Sequence, residues 1–506
     1  MSVALSVAAH TNVGKTTLVR TLLKRDIGEV ADRAHVTEMA ERHLLLDTPA
    51  GDMLHLWDTP GFGDSARLLK RLLNSGNPIG WLQTQVWDRL VDRPFFCSQQ
   101  AIRNVRDESD VVLYLVNAAE DPSAAAYVDA ELQILQWVGK PVLLLLNQAG
   151  PPRSRAAEAA DEERWSKRLA AHVRERGVIT LDAFARCWVQ EDRLLRAAGA
   201  LLPEAKHQEF ARLRAAWRAR NLGTFHASMK TLATHLAQSA VDREAVPEKL
   251  DAAALANRLK GWFARVRDGA SGTDPAVEGA MGTLTKRLDA RVREETDRLI
   301  TLHGLAGRAQ QQILERTVGQ FEVAMPADVA GTGLVGGLLT GAAGGLAADI
   351  STGGLTLGAG MVIGALLGAL GGGGAARAYN LLQGQEDGRV RWSAGFLTQR
   401  TRAALLRYLA VAHYGRGRGA WAEGEAPAHW PPLVEEVVRG REPQLQAAWR
   451  LADEGSGAED IAARLEPELS KAARDLLTRL YPESVGLFTG AAGGEETALE
   501  AKLPGQ

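Results

Sequence analysis

The sequence predicts an α/β domain followed by an α-helical region, and three observations carry that prediction. Residues Leu5 to Arg20 (LSVAAHTNVGKTTLVR) run an apolar strand through a glycine-containing turn into a helix. Apolar runs of strand length alternate with helical stretches up to about residue 202, the pattern of a sheet with crossover helices. From about Pro203 the chain changes to long charged helices with apolar residues recurring at three and four, the signature of amphipathic helices in a bundle.

The first turn is the informative one. A phosphate-cradling loop needs backbone N–H groups around a concavity, a Lys for the β and γ phosphates, and a hydroxyl on Mg²⁺. Gly14, Lys15 and Thr16 stand where the tail of G-x-x-x-x-G-K-[ST] requires, while Ala9 replaces the first glycine. An ordinary strand-turn-helix is the alternative. Two later stretches favour the phosphate loop: WDTPGFGD (Trp57 to Asp64) after a second apolar alternation, and LLLLNQAG (Leu143 to Gly150) closing an apolar strand.

With these three motifs in order, the first 200 or so residues resemble the P-loop GTPases, specifically the bacterial Era/TrmE-like group with its Ras-like domain. The resemblance implies GTP and GDP as ligands and Mg²⁺ as cofactor. Asn12, Val13, Gly14, Lys15, Thr16 and Thr17 would line the phosphates, with Asn147 and Gln148 toward the base. Lys15 and Thr16 would hold the phosphates and the metal, and Asp58 would hold the metal through water. Gly61 would lend its N–H to the γ-phosphate. Thr37 is expected as the switch I threonine in preference to Thr48, because it precedes the strand HLLLD.

Four positions depart from the pattern or add to it. Phe62 stands where the best-known relatives carry a water-orienting glutamine, so hydrolysis must recruit its group elsewhere. In the TrmE-like group an Asn at the position of Asn12 helps hold K⁺, which would add positive charge where negative charge develops; alternatively Asn12 simply favours the turn. Arg33 is either an arginine finger or a solvated loop charge. Gly150 replaces the guanine-reading Asp of N-K-x-D, so GTP is kept on the strength of the other motifs, with ATP or relaxed specificity open. The fifth base-binding loop would fall near Leu181 to Ala183, without an assignment.

Taken in order, the apolar N-terminal run has no basic leader and ends in the phosphate loop, so it reads as a buried first strand and not a signal peptide. A helix (Thr16 to Lys24) follows, then HLLLD and DMLHLWD joined by TPAG, a hairpin. Asp64 to Glu108 is an insertion with Trp81, Trp87, Phe95 and Phe96 among charges, read as amphipathic helices that cover the domain or move with the nucleotide. DVVLYLVNAAEDP, PVLLLLN and VITLDAF are strands, and SAAAYVDAELQILQWVG is a helix. The net charge of −2 argues against binding nucleic acid by bulk electrostatics. Cys97 and Cys187, the two cysteines, indicate neither a disulfide framework nor a zinc site and fit a reducing cytosol.

Residues Val329 to Ala376 hold one charge, Asp349, and 17 glycines in 48 positions. Gly333, Gly337, Gly341 and Gly345 stand four apart, as do Gly360, Gly364, Gly368 and Gly372. On helices each set lies along one ridge, the small-xxx-small pattern of membrane helix packing. The turn-like Asp349 to Gly354 makes this a helical hairpin whose arms are long enough to span a bilayer. A hairpin buried in the C-terminal bundle is the alternative. Basic, aromatic Arg391 to Trp421 is read as a helix facing anionic headgroups or solvent.

The expected division is 1–202 for the P-loop domain, 203–328 and 377–482 for helical regions, 329–376 for the glycine hairpin, and 483–506 for a tail without fixed structure. The expected function is a slow GTPase switch, K⁺-stimulated through Asn12, in the cytoplasm and attached to the inner membrane or to a membrane protein. A homodimer through the P-loop domain or the hairpin belongs to that reading. The alternatives are an RNA- or ribosome-associated GTPase, for which no basic module is apparent, and a non-hydrolysing scaffold.

Overall fold

The computed structural model describes residues 2–25, 27, 39–74, 77, 80, 93–149, 154–170, 177–183, 186–245, 275–305, 389–414 and 427–488. Its N-terminal domain is built on β1 (Ser2–Ala9), buried at every residue but the first. With β2 (Glu41–Asp47), β3 (Met53–Asp58), β4 (Val111–Asn117), β5 (Val142–Asn147) and β6 (Val178–Thr180) it forms a six-stranded sheet in the order β2-β3-β1-β4-β5-β6. β1 runs parallel to β3 and β4, and β2 alone is antiparallel, paired with β3 across the expected hairpin. Parallel neighbours need crossovers. The helices that supply them are α1 (Lys15–Leu23), α2 (Ser65–Leu73), α3 (Arg93–Glu108), α4 (Ala126–Val138) and α5 (Arg155–Arg168).

The central strands read as continuous apolar runs because both sheet faces are covered. Ala8, Val112, Tyr114, Val116, Leu144 and Leu146 pack with Leu68 and Leu72 of α2, Phe95 and Val105 of α3, Leu132 of α4 and Trp165 of α5. The insertion thus contributes a covering layer, with Arg67 and Arg71 over the Phe95 ring at 4.3 and 4.5 Å. Trp81 and Trp87 lie outside the described residues.

The opposite face carries Val3, Leu5, Val7, Leu113, Leu115, Leu143 and Leu145, which join one cluster with α1 and the helical half. That half comprises α6 (Trp188–Gly199), the 35-residue α7 (His207–Val241), α8 (Pro275–Leu302), α9 (Ala394–Ala412), α10 (Trp430–Arg439), α11 (Glu442–Asp453) and α12 (Ala458–Leu480). The core therefore runs without a break across the expected boundary at residue 202. Polar contacts reinforce it: Arg212 of α7 takes Asp52 at the β2–β3 turn in a two-point ion pair at 2.7 and 2.9 Å. Lys24, just past α1, donates to Asn221 of α7 at 3.2 Å.

A two-stranded ribbon pairs β7 (Arg243–Ala245) antiparallel with β8 (Arg389–Arg391). The glycine-ridged stretch 329–376 falls between these strands in sequence and lies outside the described residues. Among the described residues, no helix is long and apolar enough to cross a membrane. The tail expectation needs a correction at its start. Pro482–Ser484 and Val485–Phe488 form two short helical turns, because Leu487 is buried and the Phe488 ring packs on Trp188 and Phe225 at 5.8 and 5.6 Å.

Inside the helical core, Glu295 of α8 is fully buried between Arg400 and Arg407 of α9. Burial alone would raise its carboxyl, but the two guanidiniums hold it below the usual range. Glu295→Ala leaves two buried cations without their carboxylate, and should cost about 3–5 kcal/mol in a urea titration. The group's contribution in the wild type is complete above the ordinary carboxylate pKa and is lost as pH falls through the lowered value. The difference between wild type and variant should therefore shrink in acid.

Candidate functional site

The turn between β1 and α1 is shaped by two residues in left-handed conformation, Asn12 (φ 65) and Gly14 (φ 90). Gly14 is the position that requires glycine. A Cβ there would stand 2.8 Å from Asn147 Nδ2. Asn12 is exposed and adopts a conformation that asparagine tolerates better than most residues, which accords with the turn-geometry reading of that position. Ala9, where the motif has glycine, is an ordinary buried strand residue paired with Leu115, so no special backbone angle is asked of it.

Lys15 is buried, and its ammonium donates to the His10 carbonyl at 3.0 Å and the Ala9 carbonyl at 3.5 Å. Burial lowers its pKa, opposed by the charges of Asp58 and Glu131. The Thr16 hydroxyl donates to Asp58 Oδ2 at 2.7 Å. Burial pushes the Asp58 carboxyl up to about 6 against the pull of Thr16 and Lys15, and its Oδ1 is buried without a hydrogen bond. A hydroxyl and a buried carboxylate oxygen with spare acceptor capacity fit a hard, oxygen-seeking cation such as Mg²⁺. Thr17 is buried beside them. Thr37 and Arg33 lie outside the described residues, whereas Thr48 pairs with Asp52 at the hairpin tip.

Gly61 packs on the loop: a Cβ would meet Lys15 Nζ at 2.8 Å and Thr11 Cα at 3.0 Å. The next residue, Phe62, is fully buried in the core of α2 and α3. Its N–H donates to the Ala9 carbonyl at 2.9 Å and its carbonyl accepts from Thr11 N–H at 3.2 Å.

The far corner is held by Asn147, fully buried at the end of β5. Its Nδ2 donates to the Val13 carbonyl at 2.7 Å, and its Oδ1 accepts from Ala183 N–H at 2.8 Å. Gln148, itself at φ 58, donates from Nε2 to the Asn12 carbonyl at 3.3 Å. Gly150 lies outside the described residues. The structure thus brings Asn12 to Thr17, Asp58, Gly61, Asn147 and Gln148 together around the β1–α1 turn.

Two features escaped the motif reading. Glu131 of α4 is fully buried and accepts from the His10 ring at 2.7 Å, the Ser65 hydroxyl at 2.5 Å and the Tyr114 hydroxyl at 2.7 Å. It ties the phosphate loop to the first residue of α2. His10 inside the loop motif was the available signal. The other feature is Asp182, whose Oδ2 accepts from Ala149 N–H at 2.5 Å.

The chain matches two family models. One, described as a 50S ribosome-binding GTPase, matches residues 5–148; the other, a domain of unknown function (DUF3482), matches residues 167–478. No curated protein matches. Similar solved structures include a point variant of Era from Aquifex aeolicus bound to GDP·AlF4⁻, 17% identical over 40% of this chain, with a TM-score of 0.29. Era with MgGDPNP and a 16S ribosomal RNA segment is 18% identical over 40% of this chain, also at 0.29. The chain spans 57% of the length of each of these two. GMPPNP-bound NFeoB from S. thermophilus is 12% identical over 62% of this chain and 88% of its own length, with a TM-score of 0.23.

Replacing Glu131 by Gln turns one of the two oxygens that accept from His10, Ser65 and Tyr114 into a donor. Glu131→Gln should lower stability by about 1–3 kcal/mol in a urea titration. It should also speed hydrogen exchange in α2 more than in α5, which Glu131 does not touch.

Proposed function

The chain belongs to the DUF3482 family and opens with a P-loop GTPase domain, and on that premise we propose that it is a GTP-hydrolysing switch whose helical half attaches to a membrane. The observation that carries the nucleotide part is the joining of Lys15, Thr16, Asp58 and Asn147 around one loop. Lys15 neutralises phosphate charge, and its burial strengthens that interaction. Thr16 and Asp58 would hold Mg²⁺, which would supply positive charge to the phosphate oxygens. Asn147 keeps the base-facing loops in register with the phosphate loop.

The buried side chain of Phe62 takes no part in orienting water. Hydrolysis in this reading is slow and would gain from K⁺ held by Asn12, and Thr37 would be the switch I threonine that helps hold Mg²⁺. Equal wild-type rates in Na⁺ and K⁺ would remove the K⁺ part.

Two observations support coupling to the helical half. Arg212 grips the turn of the β2–β3 hairpin that ends in Asp58, and Lys24, Thr21 and Arg186 bind the end of α1 to its surroundings. A nucleotide-dependent shift of either element is felt by α7 without an intermediary. The membrane part is supported by the glycine ridges of 329–376 and their single charge.

A ribosome-bound reading has one specific support, the match of residues 5–148 to the 50S ribosome-binding GTPase family. Pelleting separates the two readings. The full chain and a version lacking Val329 to Ala376 are sedimented with anionic liposomes and with ribosomal particles at physiological salt, with GDP or a non-hydrolysable GTP analogue. Liposome pelleting that needs the glycine stretch supports the membrane switch; ribosome pelleting without liposome pelleting replaces it. Lys15→Ala should abolish binding of a fluorescent guanine nucleotide in either case, and unchanged binding would overturn the site.

A further inference from the structure

β2 is the outermost strand of its sheet, and among the described residues no strand pairs with its free side. An open edge is a row of unpaired N–H and C=O groups that another strand can complete. We propose that this edge pairs with β2 of a second copy of the chain, antiparallel about a two-fold axis between Leu44 and Leu45. The inference needs neither the nucleotide nor the membrane part of the reading above.

The hairpin fixes which backbone groups are on offer. Where it closes, Thr48 N–H bonds the Asp52 carbonyl at 2.9 Å. Antiparallel pairs alternate between bonded and non-bonded, so the next pair, Asp47 with Met53, is non-bonded. Counting by twos along β3, so are Leu44 with His55 and Arg42 with Trp57, because the bulge at Leu45 is absorbed on β2. Asp47, Leu44 and Arg42 therefore direct their N–H and C=O away from β3. The Leu44 carbonyl takes a long bond of 3.4 Å from Arg25 Nη2, as an outward group without a strand partner would.

The side chains select the partner. Arg42, Leu44 and Asp47 are exposed, Leu44 at 41%. Their opposite numbers on β3 follow one another by twos, so the three side chains share a face. In the register centred between Leu44 and Leu45, Arg42 of each copy meets Asp47 of the other, and Leu44 meets Leu45. A two-fold interface demands this reciprocity: where residue i meets j, j meets i. Centring the register on Leu44 instead sets Glu41 opposite Asp47, a repulsive pair. Among the described residues neither Arg42 nor Asp47 makes an ion pair, and Arg42 rests over the Trp57 ring at 6.0 Å.

Charges on an edge strand are also how proteins keep an edge unpaired. Guards of one sign repel a second copy; the two on this face attract it. A contact of one strand is small beside that of a permanent dimer, so the association is weak and follows concentration.

Sedimentation velocity on the full chain, across roughly a hundredfold range of concentration, reads that equilibrium. Wild type should pass from monomer toward dimer as concentration rises. Arg42→Asp and Asp47→Arg each set like charges together at both ends of the contact, and should weaken the dimer by roughly tenfold or more. The two changes combined exchange the charges and should restore association close to the wild-type level. Both positions are exposed, so urea midpoints should hold; if a single change lowers its midpoint, restoration by the combined variant still decides. A wild type that stays monomeric throughout, or a dimer indifferent to both single changes, overturns the assignment. So does a combined variant that associates no better than the single ones.

Discussion

One face of the six-stranded sheet is covered by helices that the chain supplies only after its sixth strand. Leu5, Val7, Leu113 and Leu145 share a cluster with Trp217, Phe225, Leu288 and Leu405. A sheet of parallel strands is stable only with both faces dry, and α1 is too short to cover this face by itself. The helical half is therefore part of what makes the nucleotide domain fold. The contact also falls on elements that matter for a switch: α1 begins at Lys15, and the β2–β3 hairpin ends at Asp58. Whatever moves those two elements must move against α7.

A second constraint orders the site. Asn147 makes both of its side-chain bonds across loops, to Val13 and Ala183, and its carbonyl accepts Ala118 N–H at 2.7 Å. Every partner is backbone, so the arrangement depends on where the chain passes and little on which side chains the loops carry. This explains why the motif survives its departures. Ala9 needs no unusual angle, and Gln148 still reaches the Asn12 carbonyl.

The strands, the hairpin and the phosphate loop were legible because their signals are local: an apolar run of strand length, a Pro-Gly turn, and the consecutive Gly14, Lys15 and Thr16. The Glu131 network was not. Its partners His10 and Ser65 lie 121 and 66 positions away, and a glutamate on a helix reads as a solvated face until the fold buries it. The shared core was hidden for a related reason. Periodicity says that a face of α7 is covered, and says nothing of what covers it. Phe488 is the same case in miniature, an aromatic in a glycine-rich tail that folds because Trp188 and Phe225 offer it a place.

Phe62 shows how the insertion and the chemistry bear on each other. Its ring lies in the layer built by α2 and α3, so the insertion supplies the apolar shelf that makes phenylalanine favourable at this position. Full burial of such a side chain is worth about 1.5–3 kcal/mol, and both backbone groups of Phe62 are bonded to the phosphate loop. Gly61 cannot then swing on its own. Displacing it requires breaking two backbone hydrogen bonds and drawing an aromatic ring out of the core, unless α2 moves as a body. Ser65, bound to Glu131 at the start of α2, lies on the path of that movement. In the proposed switch, Phe62 fixes the loop of Gly61 to the helix beside it, so a nucleotide signal entering at Gly61 would leave through α2.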